Sequence, residues 1–173
     1  MSETLLNDSK LNQGITPYDF YSSYHQHPIN KLIHFITIPL IVITTLNYFS
    51  TFSFSLANSS LSISTFYFTA DILLAIFYIL YYLTWGRKVG FVMLFYCSIM
   101  WTIAYFSRYI HLWLVYNTII FVLAWIFQFA GHSCFEGNRP ALLDSLSQAF
   151  LTAPAFSLDY VFPSLFPRSD TQL

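Results

Sequence analysis

LWLVYNTIIFVLAWIFQFA, from Leu112 to Ala130, runs without one charged side chain. A helix needs about 20 consecutive apolar residues to cross a hydrocarbon core of about 30 Å. This stretch therefore reads as a membrane span. Working outward, three further stretches read the same way: Leu32–Leu56 (LIHFITIPLIVITTLNYFSTFSFSL), Thr65–Trp85 (TFYFTADILLAIFYILYYLTW) and Val89–Phe106 (VGFVMLFYCSIMWTIAYF). Pro39 is expected to kink the first, because proline removes a hydrogen-bond donor from the helix interior. The spans lack the sustained period-2 alternation that membrane barrel strands require. The fold class expected is all-α, a polytopic bundle of about four transmembrane helices.

Composition agrees with lipid as the solvent. Of 173 residues, 56% are hydrophobic and 9% charged, against roughly 25% charged in soluble domains. Aromatic residues make up 21%, a content suited to membrane interfaces, where Tyr and Trp keep one end wet. The net charge of −1, without any basic run, gives no support to nucleic-acid binding, and no nucleic-acid partner is expected. The polar start, MSETLLNDSKLNQGITPYDF, contains no signal-peptide h-region. Cys97 falls inside a span and Cys134 beyond another, so no disulfide is expected. No zinc-type CxxC spacing occurs.

Four spans put both termini on one side. Lys10, Lys31, Arg87, Lys88, Arg139 and Arg168 then share that side, and Arg108 lies opposite. The positive-inside rule makes the shared side cytosolic and Ala57–Ser64 an external or lumenal loop. Three or five spans would break the asymmetry. The chain is expected to form one membrane domain over 1–173: a polar segment at 1–23, the bundle at 24–139, and an interfacial helix with its tail at 140–173. In PALLDSLSQAFLTAP the apolar residues Leu142, Leu143, Leu146, Ala149 and Phe150 recur at helical spacing. Pro140 opens this amphipathic helix and Pro154 closes it, against the cytosolic surface or the bundle end.

Chemistry concentrates in five histidines. His25, His27 and His34 flank the start of the first span, which Pro28 begins, and His132 follows the fourth. Spans entering and leaving at one face bring these side chains to one depth. His111 belongs to the other face. Gln128, His132 and Glu136 recur at i, i+4 and i+8, so a continuing helix would align them. His25, His34, His132 and Glu136 thus form a mixed imidazole–carboxylate set with open positions, suited to non-haem Fe(II). The plainer alternatives are an interfacial hydrogen bond between His132 and Glu136, and ordinary interface roles for His27 and His111. Asp71 reads as a local hydrogen-bonding residue, and Tyr78, Tyr81 and Tyr82 as packing.

Two stretches carry a resemblance. The first holds Tyr24-His25, Pro28, Asn30, Ile33-His34 and Pro39. The second holds Gln128-Phe129-Ala130-Gly131-His132, Phe135-Glu136, Arg139-Pro140-Ala141-Leu142 and Ala153-Pro154. In order and spacing they resemble the family of the yeast 2-hydroxy fatty acid dioxygenase of phytosphingosine breakdown, formerly a domain of unknown function. The middle spans resemble it only in hydrophobicity, and His27 stands where the family often has another polar residue.

The resemblance implies an Fe(II)-dependent enzyme of the endoplasmic reticulum membrane; a bacterial inner membrane satisfies the same charge rule. It would use O2 to convert a 2-hydroxy fatty acid to a fatty acid one carbon shorter, in fatty-acid α-oxidation. Fe(II) would be held by His25, His34 and His132, with Glu136 a fourth ligand or a partner orienting one imidazole. Arg139 or Lys31 would neutralise the substrate carboxylate, and Asn30 and Gln128 would hydrogen-bond around the site. The competing reading is a non-enzymatic membrane lipid-binding or scaffold protein. A transporter would place polar residues at the span centres, a di-iron desaturase would need many more histidines, and zinc hydrolysis would use similar ligands.

Overall fold

The computed structural model describes residues 17–56, 66–137, 146–162 and 165. These residues form α1 (Pro17–Ser23), α2 (Pro28–Phe49), β1 (Ser53–Leu56), β2 (Phe66–Thr69), α3 (Ala70–Leu83), α4 (Arg87–Ser107), α5 (Trp113–Gly131), a π-helical turn (His132–Glu136) and α6 (Leu146–Asp159). The class is all-α. Among the described residues, α2, α4 and α5 with its π continuation are long and apolar enough to cross a membrane.

Contacts divide the chain into two compact units, residues 1–38 with 127–173, and residues 39–126. In the second unit α3 and α4 form a hairpin around Tyr78, Tyr82, Val89, Met93 and Cys97, all buried. Gly86 makes the turn between them at φ 117°, a conformation open to glycine and strained for other residues. Outward faces carry exposed Leu80, Phe91, Phe95, Phe106 and Val122. So much contiguous apolar exposure fits lipid rather than water.

One end of this unit is tied by polar groups. Asp71, fully buried, accepts Arg108 Nη2 at 2.6 Å and Trp101 Nε1 at 2.9 Å. Arg108 Nε donates to Asn47 Oδ1, and Asn47 Nδ2 donates to Ser107 Oγ and to Asn117 Oδ1. Asn117 Nδ2 donates in turn to the Thr44 carbonyl at 3.1 Å. The local hydrogen bonding expected of Asp71 is thus part of a network joining α2, α3, α4 and α5.

Three sequence expectations are corrected. The stretch read as a first span to Leu56 is helical only to Phe49; Ser53–Leu56 instead pairs antiparallel with Phe66–Thr69, with Phe54 opposite Phe68. Alternating Phe and Ser expose one apolar face per two residues, which favours a strand over a helix. The stretch read as a span over Thr65–Trp85 therefore keeps a helix of 14 residues, Ala70–Leu83, about 21 Å at the α-helical rise. Third, α6 runs through Pro154 to Asp159. Thr152, Pro154, Ala155, Phe156, Ser157 and Asp159 are buried, whereas Phe150 is exposed. Burial against α1 holds this helix together despite the missing donor. Leu142, Leu143, Pro140 and the loop Ala57–Ser64 lie outside the described residues, apart from which the six-to-one charge distribution stays a property of the sequence.

Candidate metal centre

The site belongs wholly to the first unit. After α1 the chain turns, with His25 N donating to the Ser22 carbonyl at 3.0 Å. The His25 ring is left buried, stacked on Tyr21 with centroids 4.4 Å apart. Its Nδ1–H donates to the Tyr21 carbonyl at 2.7 Å. His34 lies in the second turn of α2, and its Nδ1–H donates to the Asn30 carbonyl at 2.9 Å. Each donation sets the tautomer and turns the Nε2 lone pair away from the backbone.

His132 begins the π turn, which closes with Gly137 N donating to the His132 carbonyl at 3.1 Å. Gly137, at φ 66°, ends it. The three rings meet edge to face, with centroids 4.3 Å (His25–His34), 4.6 Å (His25–His132) and 5.0 Å (His34–His132) apart. One ligand atom from each lies within 4.8 Å of the others. His25 Nε2, His34 Nε2 and His132 Nδ1 are buried without a hydrogen-bond partner.

Three basic nitrogens facing one another in a dry space cannot all carry protons. Burial, then the nearby His34, pushes the His25 imidazole well below the ordinary histidine range, so it is neutral at pH 7. Neutral, oriented and unpartnered lone pairs are what a divalent transition metal requires. Three of them leave coordination positions for other ligands. The residues fit a metal.

Around the triad, Asn30 is the hub. It is fully buried, its carbonyl holds His34, and its Nδ2 donates to Glu136 Oε1 at 2.9 Å. The same carboxylate oxygen accepts His27 N at 3.0 Å. Glu136 thus binds the N-terminus of α2, where partial positive charge favours a carboxylate. Asn30 Oδ1 faces Gly131, and a Cβ added there would fall well inside its contact distance. Glycine is needed at 131 because α5 comes this close to α2.

Gln128 Nε2 donates to Thr37 Oγ at 3.0 Å, tying α5 to α2 one turn further along. His27 stands apart from the triad: its Nδ1 accepts Ile29 N, and its ring stacks on Phe135 at 5.2 Å. His111 is exposed in the second unit. Lys31 is half-buried in the first turn of α2, and Arg139 lies outside the described residues. Sequence reasoning missed Phe156, whose ring packs 4.7 Å from His25 and 4.9 Å from Tyr21. Its signals were the aromatic spacing of Tyr18 and Tyr21 and the Ala153-Pro154 motif just before it.

Residues 14–165 match a family model described as Mpo1-like, 2-hydroxy-palmitic acid dioxygenase Mpo1-like. A curated relative, the 2-hydroxy-palmitic acid dioxygenase MPO1 of Saccharomyces cerevisiae, is 36% identical over 140 residues, covering 79% of this chain and 72% of the yeast protein. No solved structure shows a significant match. With most of its length inside the family model and all three clustered histidines within the matched region, the chain belongs to the Mpo1-like family.

Proposed function

We propose that this protein is an Fe(II)-dependent membrane dioxygenase that converts 2-hydroxy fatty acids to fatty acids one carbon shorter with O2. It would serve fatty-acid α-oxidation in phytosphingosine degradation, in the endoplasmic reticulum membrane, with both termini cytosolic. The observation that carries the reading is the convergence of three buried, partnerless imidazole nitrogens within 4.8 Å. Family membership supplies the substrate class, through the yeast relative's name.

His25, His34 and His132 would hold the ion, which when bound supplies the redox chemistry toward O2 that side chains lack. The Tyr21 and Asn30 carbonyls keep two of these imidazoles in the tautomer that presents Nε2. Glu136 acts by fixing the π turn to α2, so that His132 is held beside His34. Phe156 covers the His25 edge and excludes water. Lys31 or Arg139 would neutralise the substrate carboxylate, the arginine fork being the better chemical match.

The test is anaerobic purification in detergent, metal analysis, and O2 uptake with 2-hydroxypalmitate. The expected result is one iron per chain, with substrate loss and O2 uptake in step with the appearance of the shortened acid. Protein that binds 2-hydroxypalmitate but holds no metal and consumes no O2 on adding Fe(II) would instead be the lipid-binding alternative.

A further inference from the structure

Thr152, in the middle of α6, is fully buried, and its hydroxyl has no hydrogen-bond partner. Helical threonines elsewhere avoid this by bonding back to the preceding turn. Thr37 donates to the Ile33 carbonyl at 2.8 Å, Thr44 to Leu40 at 2.7 Å, Thr102 to Ser98 at 2.7 Å and Thr118 to Leu114 at 2.8 Å. Thr152 has the same option and does not take it. A buried hydroxyl left dry costs about 1–3 kcal/mol, so this position awaits a polar atom that folding alone does not bring.

Its place indicates which atom. Thr152 and Phe156 are four residues apart and share one face of α6. The Phe156 ring lies 4.7 Å from His25. Helix α6 packs on α1, the helix whose Tyr21 carbonyl orients His25. Ala155, between them in sequence, is fully buried as well. The hydroxyl therefore lies in the buried segment of α6 whose Phe156 ring meets His25.

We propose that Thr152 is a substrate-binding residue, its hydroxyl hydrogen-bonding an oxygen of the 2-hydroxy acid head, either carboxylate or 2-hydroxyl. The inference rests on the function proposed above. A hydroxyl donates and accepts, so it suits either oxygen, and the apolar surroundings strengthen the bond. The acyl chain has no such group, so the contact acts on the reacting end of the substrate.

The test uses full-length protein loaded with Fe(II) and kept without O2, with Thr152→Val and Thr152→Ser. Iron content, and the affinities for 2-hydroxypalmitate and palmitate, are measured for each. Valine keeps the shape and removes the hydroxyl. Iron should be unchanged, 2-hydroxypalmitate should bind about ten- to a hundredfold more weakly, the effect of one lost buried hydrogen bond, and serine should restore binding. A loss for both acids identifies the carboxylate as partner; a loss confined to 2-hydroxypalmitate identifies the 2-hydroxyl. Unchanged affinities in the valine variant overturn the proposal. So does a loss of iron and of thermal stability that serine does not rescue, since that marks a packing role. Wild-type protein that binds no 2-hydroxy acid overturns the proposed function itself, and this inference with it.

Discussion

Gly131→Ala places one methyl group at the tightest approach between α5 and α2. The added Cβ would collide with Asn30 Oδ1 and lie 3.3 Å from Ile33 Cδ1. The Ile33 methyl is the end of a flexible side chain and gives way. Asn30 cannot, because its amide is bound to Glu136 and its carbonyl to His34. Either Asn30 rotates and leaves buried polar groups unpaired, or the helices part. Each route costs roughly 1–3 kcal/mol, offset by up to about 1 kcal/mol from the better helix propensity of alanine. Net destabilisation is therefore modest, about 1–2 kcal/mol. The larger effect falls on the metal. His132 follows Gly131 directly and moves with it, and disturbing the groups that orient ligands typically costs 10–100-fold in metal affinity. The assay is chelator competition on anaerobic protein, beside thermal unfolding of the metal-free form. An alanine variant that holds iron as tightly as wild type and unfolds no earlier would refute the argument that Gly131 sets the distance between His132 and His34.

Further outcomes follow from the same geometry. Glu136→Gln keeps an oxygen that accepts from His27 N and Asn30 Nδ2, so it should retain most of its iron, while Glu136→Ala should lose it; iron lost equally from both variants would make the carboxylate a direct ligand. Alanine at His25, His34 or His132 should abolish iron binding and O2 uptake, whereas His27→Ala and His111→Ala should keep iron, as read by metal analysis of each purified variant. Arg108→Ala leaves Asp71 charged and buried, which should lower stability by about 3–5 kcal/mol, seen as a fall in the detergent melting temperature; an unchanged melting point would show that the network in the second unit contributes nothing net.

Much of this fold is legible in the sequence. Span length follows from composition, because hydrocarbon admits little else, and that logic located α2, α4 and α5. The expectation that the first and last spans meet at one end has its counterpart in the clustering of His25 and His34 with His132. What stayed hidden was finer than a hydropathy average. Ser53–Leu56 is apolar enough to extend a span, and only its period-2 alternation betrays the strand. Pro154 reads as a stop, yet burial of Thr152, Ala155 and Phe156 carries the helix past it. The Asn30 side chain acts across more than a hundred residues of sequence, on Glu136, so no local pattern shows it.

The π turn also sets what a change in chain length does here. Between His132 and Gly137 the backbone bond spans five residues rather than four, so the segment holds one residue beyond what ordinary winding needs. Ser133 and Cys134 are exposed there. Excising Ser133 would let the segment rewind as ordinary α-helix with Glu136 turned by only roughly 30° around the axis. The wide turn thus absorbs a whole residue locally while the carboxylate keeps its side toward the start of α2, where it accepts His27 N and Asn30 Nδ2.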